Sequence, residues 1–206
     1  MTRLVVVSAG LSNPSSTTLL AQRLTAATVE ALEEVEVTHV ELRDLAHQLT
    51  DQLLTGFPGP ELAAAQAAVA EADGLIVVTP IFSASYSGLF KTFFDVLETG
   101  ALDGKPVLVA ATAGTARHSL VIEHALRPLF AYLHAVVVPT GVFAATDDFA
   151  GTDLDSRIGR AAGELAALMG KVSRVDTVVT KRRTVEDEFA AVTPFEELLR
   201  QASHGG

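Results

Sequence analysis

The sequence contains no cysteine. Disulfides, thiolate metal ligands and a thiol nucleophile are therefore excluded. It also lacks a long apolar run. No stretch approaches the roughly 18 residues that a membrane-spanning helix requires, so no span is expected. The opening MTRLVVVSAG is too short an apolar run for a signal peptide and passes at once into a polar loop, which makes the cytoplasm the expected location. Positive charge is scarce, and the formal net charge is -10. That balance argues against nonspecific binding to nucleic acid or to an anionic membrane. It leaves room for a small anionic ligand held by backbone amides. Several motifs are missing too. There is no glycine-rich loop ending in GK[ST] and no GxGxxG, and the GxSxG elbow of a serine hydrolase is absent. His39, His47, His118, His134 and His204 are scattered, without metal-ligand spacing, so no metal site is expected.

What is present is an alternating pattern. With 206 residues and 49% apolar content, the chain has enough material for one substantial core. Short, nearly continuous apolar runs at residues 4–7, 75–78, 106–111 and 136–138, with the stretch 35–42 in which Val35, Val37 and Val40 carry most of the apolar content, read as five strands. Helical spacing recurs at 17–32, 61–72, 89–97, 118–133 and 154–169. Residues 44–57 read as a mixed connection with a helical turn or two. Strands that are nearly all apolar, alternating with helices, indicate a parallel sheet covered on both faces, an α/β sandwich. Residues 1–170 are expected to form this domain. The charged stretch 171–206, with its closing PFEELL motif, reads either as an extension packing on the domain or a partner subunit or, for its last residues, as a frayed tail.

In an open parallel sheet, ligands bind outside the carboxyl ends of the strands. Three loops lie there. The first, SAGLSNPSSTTLL at 8–20, brings Ser8, Ser15, Ser16 and Thr17 to the start of a helix. There they could hold a phosphate or simply cap the helix. The second, TPIFSASYSGLFKTFFD at 79–95, leaves its strand through Pro80, which is expected to end the strand's pairing. It places Ile81, Phe82, Ser83 and Ser85 in a loop of small polar residues, where Phe82 or Tyr86 could border a flat ring. Phe90, Phe93 and Phe94 have the spacing of core residues. The third, ATAGTARHS at 111–119, offers Thr112, Gly114 and Thr115, with Arg117 and His118 at its rim. None of this supplies a strong acid or base, as in sites where a cofactor carries the chemistry.

These two latter stretches, with ATAGTARHSLVIEHALRPLFAYLHAVVVPTGVFA at 111–144, resemble the NADPH-dependent FMN reductase family. They are most similar to flavin reductases of two-component luciferase-like or alkanesulfonate-type monooxygenase systems. The resemblance covers about the first 170 residues. It implies a flavodoxin-like three-layer sandwich with a five-stranded parallel sheet in the order 2-1-3-4-5. It implies FMN phosphate on the 8–17 loop, where the arginine common in the family is absent, and the flavin ring over residues 80–85 and against 112–115. Hydride would pass from NADPH or NADH to the flavin, with Arg117 and His118 as candidates to meet the nicotinamide nucleotide or the flavin edge. A flavin-dependent monooxygenase is the implied partner, and a homodimer or homotetramer the implied assembly. Lys91 and Asp95 match family positions and would sit at a subunit interface, or form a plain surface pair. His124, before Ala125-Leu126-Arg127-Pro128, stands where some relatives carry an aromatic residue beside a π-bulge. An FMN-bound quinone or azo reductase, a flavodoxin-like electron carrier without nicotinamide oxidation, and a nonenzymatic flavin-binding protein are the competing readings.

Overall fold

The structure, a computed structural model, describes residues 1–32 and 34–170. The readings made for 171–206 lie outside the described residues. The parallel sheet runs β2(Val35–Glu41), β1(Thr2–Ser8), β3(Gly74–Phe82), β5(Pro106–Ala113), and then a fifth position shared by β6(Val136–Val137) and β7(Val142–Ala145). This is the flavodoxin-like order that the resemblance implied. A short β4(Ser85–Tyr86) folds back on the end of β3.

Side-chain alternation explains the three layers. Along β1, Leu4 and Val6 enter one core while Val5 and Val7 enter the other, because successive residues of a strand face opposite ways. The first core packs α1(Ser16–Glu30) and α6(Asp153–Met169) on the sheet through Leu20, Leu24, Leu154 and Leu165. The second packs α2(Ala46–Thr55), α3(Pro60–Glu71), α4(Gly88–Asp95) and α5(Arg127–Tyr132) through Leu49, Leu62, Phe90 and Phe130. Phe90, Phe94 and Phe130 form a ring cluster with centroids 4.8 to 6.2 Å apart, the range for favourable aromatic packing.

Four local expectations are corrected. First, Pro80 does not end the pairing of β3. The strand continues to Phe82, with Pro80 in register with Thr112. The Val78 carbonyl already points to the β1 side, where it accepts from the Ala9 N–H. Two residues on, Pro80 faces that same side, where β1 has ended and no N–H is needed. Second, residues 44–57 hold a full helix, α2, closed by Gly56 at φ +81° in the left-handed conformation usual after a helix end. Only Leu49 of α2 is fully buried, whereas Leu53 and Leu54 are exposed, so leucines alone do not mark its core face. Third, the fifth strand is split, and residues 142–145 were missed. Pro139, Thr140 and Gly141 interrupt it, and a Cβ on Gly141 would fall 2.4 Å from Ile122 Cγ2. Thr140 is held through its N–H and hydroxyl by the Glu164 carboxylate, at 2.7 and 2.8 Å.

The fourth correction concerns 118–133, which is not one α-helix. It opens with a 3₁₀ turn, Ala116–His118, continues as a π-helical stretch, Ile122–Leu126, and only then becomes α5. The Arg127 N–H bonds back to the Ile122 carbonyl. Pro128 has no N–H, and in an α-helix its ring would press on the carbonyl four residues back. A wider turn ahead of it relieves that conflict.

Candidate functional site

The first loop is built over a glycine. A Cβ on Gly10 would fall 2.3 Å from Ser15 Oγ and 2.8 Å from Thr18 Oγ1. Only a residue without a side chain lets the two hydroxyls close over the backbone here. Ser15 is the N-cap of α1, its Oγ accepting from the Thr18 N–H at 3.2 Å. Ser8 is buried, with its Oγ 3.5 Å from Thr18 Oγ1. Ser16 is exposed at the first helical position. Thr17 turns inward instead. Its hydroxyl meets that of Thr112 at 2.8 Å, and both residues are buried. This bond ties the first loop to the third. The Asn13–Pro14 peptide within the first loop is cis.

The second loop is a tight hairpin. Ile81 pairs with Tyr86 and Phe82 with Ser85. The two central residues, Ser83 and Ala84, have φ of 48° and 67°. Two non-glycine residues in the left-handed region are costly, and such strain gathers at functional loops. The base of the hairpin is locked by Thr79, whose hydroxyl accepts from the Ser87 N–H and donates to the Pro80 carbonyl. Tyr86 is half-buried against Phe90, with centroids 5.9 Å apart. Phe82 is 48% exposed, so of the two aromatics it is the one left free to border a ligand.

The third loop leaves β5 beside Pro80. Thr112 is buried, whereas Gly114, Thr115, Arg117 and His118 are exposed. A Cβ on Gly114 would meet nothing within 4 Å. Register and the Thr17–Thr112 bond thus gather Ser8, Ser15, Ser16, Thr17, Pro80 and Thr112 at the carboxyl end of the central strands. Arg117 and His118 stand further out, with no side-chain bond among the described residues. Lys91 and Asp95 form an i,i+4 ion pair on α4, partly exposed. His124 is exposed within the π-helical stretch.

Beside the first loop lies a cleft of about 640 Å³. One wall is the loop itself, from Gly10 to Ser16. The other is Glu41, Arg43 and Asp44, at the end of β2 and the turn after it. Glu41 accepts from Thr18 Oγ1 at 3.4 Å. The sequence reading missed Gly10 and this second wall. A glycine two residues past an apolar strand was a visible signal for the first; for the second there was none, because Glu41 reaches Thr18 from 23 positions away in sequence.

Among the described residues, no group of acidic side chains and histidines could hold a metal ion. No helix there is long and apolar enough to cross a membrane. Among the described residues, the one group with a strongly shifted pKa, Lys105, is at the opposite end of the sheet, just ahead of β5.

A family model for NADPH-dependent FMN reductases matches residues 2–150. An FMN reductase (NADPH) of Pseudomonas aeruginosa is 39% identical over 173 residues, 82% of this chain and 92% of the relative. An NADH-dependent FMN reductase of Pseudomonas fluorescens, SfnF, is 40% identical with the same coverage of both chains. The X-ray structure of an oxidoreductase from Corynebacterium diphtheriae superimposes with a TM-score of 0.82 at 50% identity, covering 84% of this chain and 99% of the other. The match spans all three loops at the carboxyl ends of the strands, and the chain belongs to the NADPH-dependent FMN reductase family.

Proposed function

We propose that the protein is an NAD(P)H-dependent FMN reductase. The observation that carries the reading is the joining of the first and third loops through Thr17 and Thr112, beside a first loop whose hydroxyls close over Gly10. The residues present fit a flavin mononucleotide. The start of α1 has unpaired N–H groups and the positive end of the helix dipole for a phosphate, with Ser15 and Ser16 beside them. Thr17 contributes its N–H there, since its hydroxyl is engaged by Thr112. The hairpin, from Pro80 through Ile81, Phe82 and Ser83 to Ser85, and the loop through Gly114 and Thr115 flank the ring.

The flavin, when bound, supplies a hydride acceptor that takes two electrons from the nicotinamide. The chain orients the two rings at near contact. Backbone N–H groups of the third loop stabilise negative charge on the reduced ring. Arg117 and His118, free at the rim, meet the nicotinamide nucleotide or the flavin edge. No side chain has to move a proton. The relatives include reductases named for NADPH and for NADH, and either nucleotide fits this reading. Reduced FMN then passes to a flavin-dependent monooxygenase. The exposure of Phe82, Gly114 and Thr115 supports release of a flavin that is substrate and not a fixed group.

The test is steady-state oxidation of NADH and NADPH by the purified protein, with and without FMN and with a quinone. Turnover that saturates in added FMN is the expected result. Turnover that needs a quinone and ignores added FMN would make the protein a quinone reductase. No oxidation under any of these conditions would end the proposal.

A further inference from the structure

The cleft beside the first loop is larger than one phosphate needs. Its volume of about 640 Å³ is in the range of whole small-molecule sites. Its far wall also has the wrong chemistry for FMN alone. Glu41 and Asp44 line the cleft together with the phosphate loop, and carboxylates there repel a bound phosphate. Glu41 is not turned away, since its carboxylate reaches Thr18 Oγ1 at the first turn of α1. A carboxylate lining the cleft can accept from the hydroxyls of a ribose. The Arg43 guanidinium makes no ion pair or hydrogen bond among the described residues, so it is available to a second phosphate. Leu19, 40% exposed, lines the cleft with Pro14 and offers an apolar strip to a flat base.

We infer that this cleft is an adenylate subsite that takes the AMP half of FAD. The inference rests on the reading that the first loop holds the flavin phosphate. In FAD the adenylate is bonded directly to that phosphate, so it must lie next to the first loop. Ser15, Ser16 and Thr18 border the cleft and the loop alike. A nicotinamide dinucleotide carries the same adenylate, but its position is set by the nicotinamide on the flavin ring and not by the phosphate loop. That favours FAD as the occupant.

The test compares FMN and FAD binding, by flavin fluorescence titration, in the whole protein and in Glu41→Gln and Arg43→Ser. The ratio of the two dissociation constants is the readout, because it cancels any loss of folded protein. The expected result is that FAD weakens relative to FMN by at least about fivefold in each variant, as lost charge-assisted hydrogen bonds imply. Removing a negative charge from the wall should leave FMN bound to Glu41→Gln at least as tightly as before. An unchanged ratio in both variants overturns the inference. A raised KM for NADH or NADPH with an unchanged ratio assigns the cleft to the nicotinamide dinucleotide and overturns it as well. Failure of the unaltered protein to bind either flavin sinks the flavin reading itself, and is told apart by that.

Discussion

At Gly114 the protein leaves open space where a side chain would stand. Valine should therefore fit the free protein without strain, and any loss of flavin binding in Gly114→Val reports crowding of the ring. The expected outcome is an unchanged melting temperature with FMN affinity reduced by about tenfold or more, a loss of roughly 1.4 kcal/mol. Full flavin affinity in a folded variant would remove Gly114 from the ring site. Thr17 needs a different design. Its hydroxyl has one buried partner, Thr112 Oγ1, and removing one member strands the other. Thr17→Val should cost about 1 to 3 kcal/mol of stability. Thr17→Val combined with Thr112→Val should recover much of that loss, since no buried hydroxyl is then left without a partner. Denaturant titration of the two single variants and the double variant measures the coupling, and purely additive losses would show that the pair is not a bond. Thr17 also marks a limit of sequence reading. Its place at a helix start was legible. The inward turn of its hydroxyl depended on a partner 95 positions away in sequence, which local pattern cannot reveal.

The elements show the same division. Strands β1, β3 and β5 and helices α1, α3 and α6 were legible because their apolar spacing is dense and their ends are marked by Gly, Pro or Ser. Helix α2 was legible only as a turn or two, because its exposed Leu53 and Leu54 blur the core face that Leu49 marks. The π-helical stretch left no periodicity to read, although Pro128 marked the place where an α-helix would be in conflict. The end of α3 is stabilised by a long-range device. Lys105 Nζ donates to the carbonyls of Ala70 and Ala72 at 2.9 and 2.7 Å, taking up acceptors that a helix end leaves free. Burial pulls the Lys105 pKa from 10.5 down to about 8; Asp73 works against that shift, and Arg3 adds to it. The unfolded chain keeps its proton up to pH 10.5, whereas the folded one releases it from about pH 8. Between those values the unfolded state binds more protons, so this group makes stability rise with pH. Below pH 8 it contributes no slope. Chemical denaturation at pH 8, 9 and 10 should show the gap between the unaltered protein and Lys105→Met shifting in favour of the unaltered protein as pH rises. A gap independent of pH would place the Lys105 pKa near its ordinary value.

For the molecule as a whole, the net charge of -10 and the exposed apolar side chains pull in opposite directions. Leu120 and Tyr132 stand 64% and 82% exposed on the segment that carries the π-helical stretch and α5, and Leu54 and Phe57 stand 81% and 79% exposed at the end of α2. Large apolar side chains left this exposed on a charged surface mark contact surfaces where they lie together. Closed two-fold assembly is the commonest way for one chain to cover them. Leu120 lies two residues after His118, at the rim of the third loop, so an assembly through it would set a second subunit beside that rim. A dimer or tetramer is the expected state in solution, with Leu120→Gln plus Tyr132→Ser lowering both the mass and the reductase turnover. The Leu54→Gln plus Phe57→Ser variant, at the end of α2, should alter assembly without a matching loss of turnover in whatever dimer survives. Light scattering at micromolar concentration, paired with the oxidation assay, decides the matter. A mass near 21.6 kDa with full turnover would show that one chain builds the complete site.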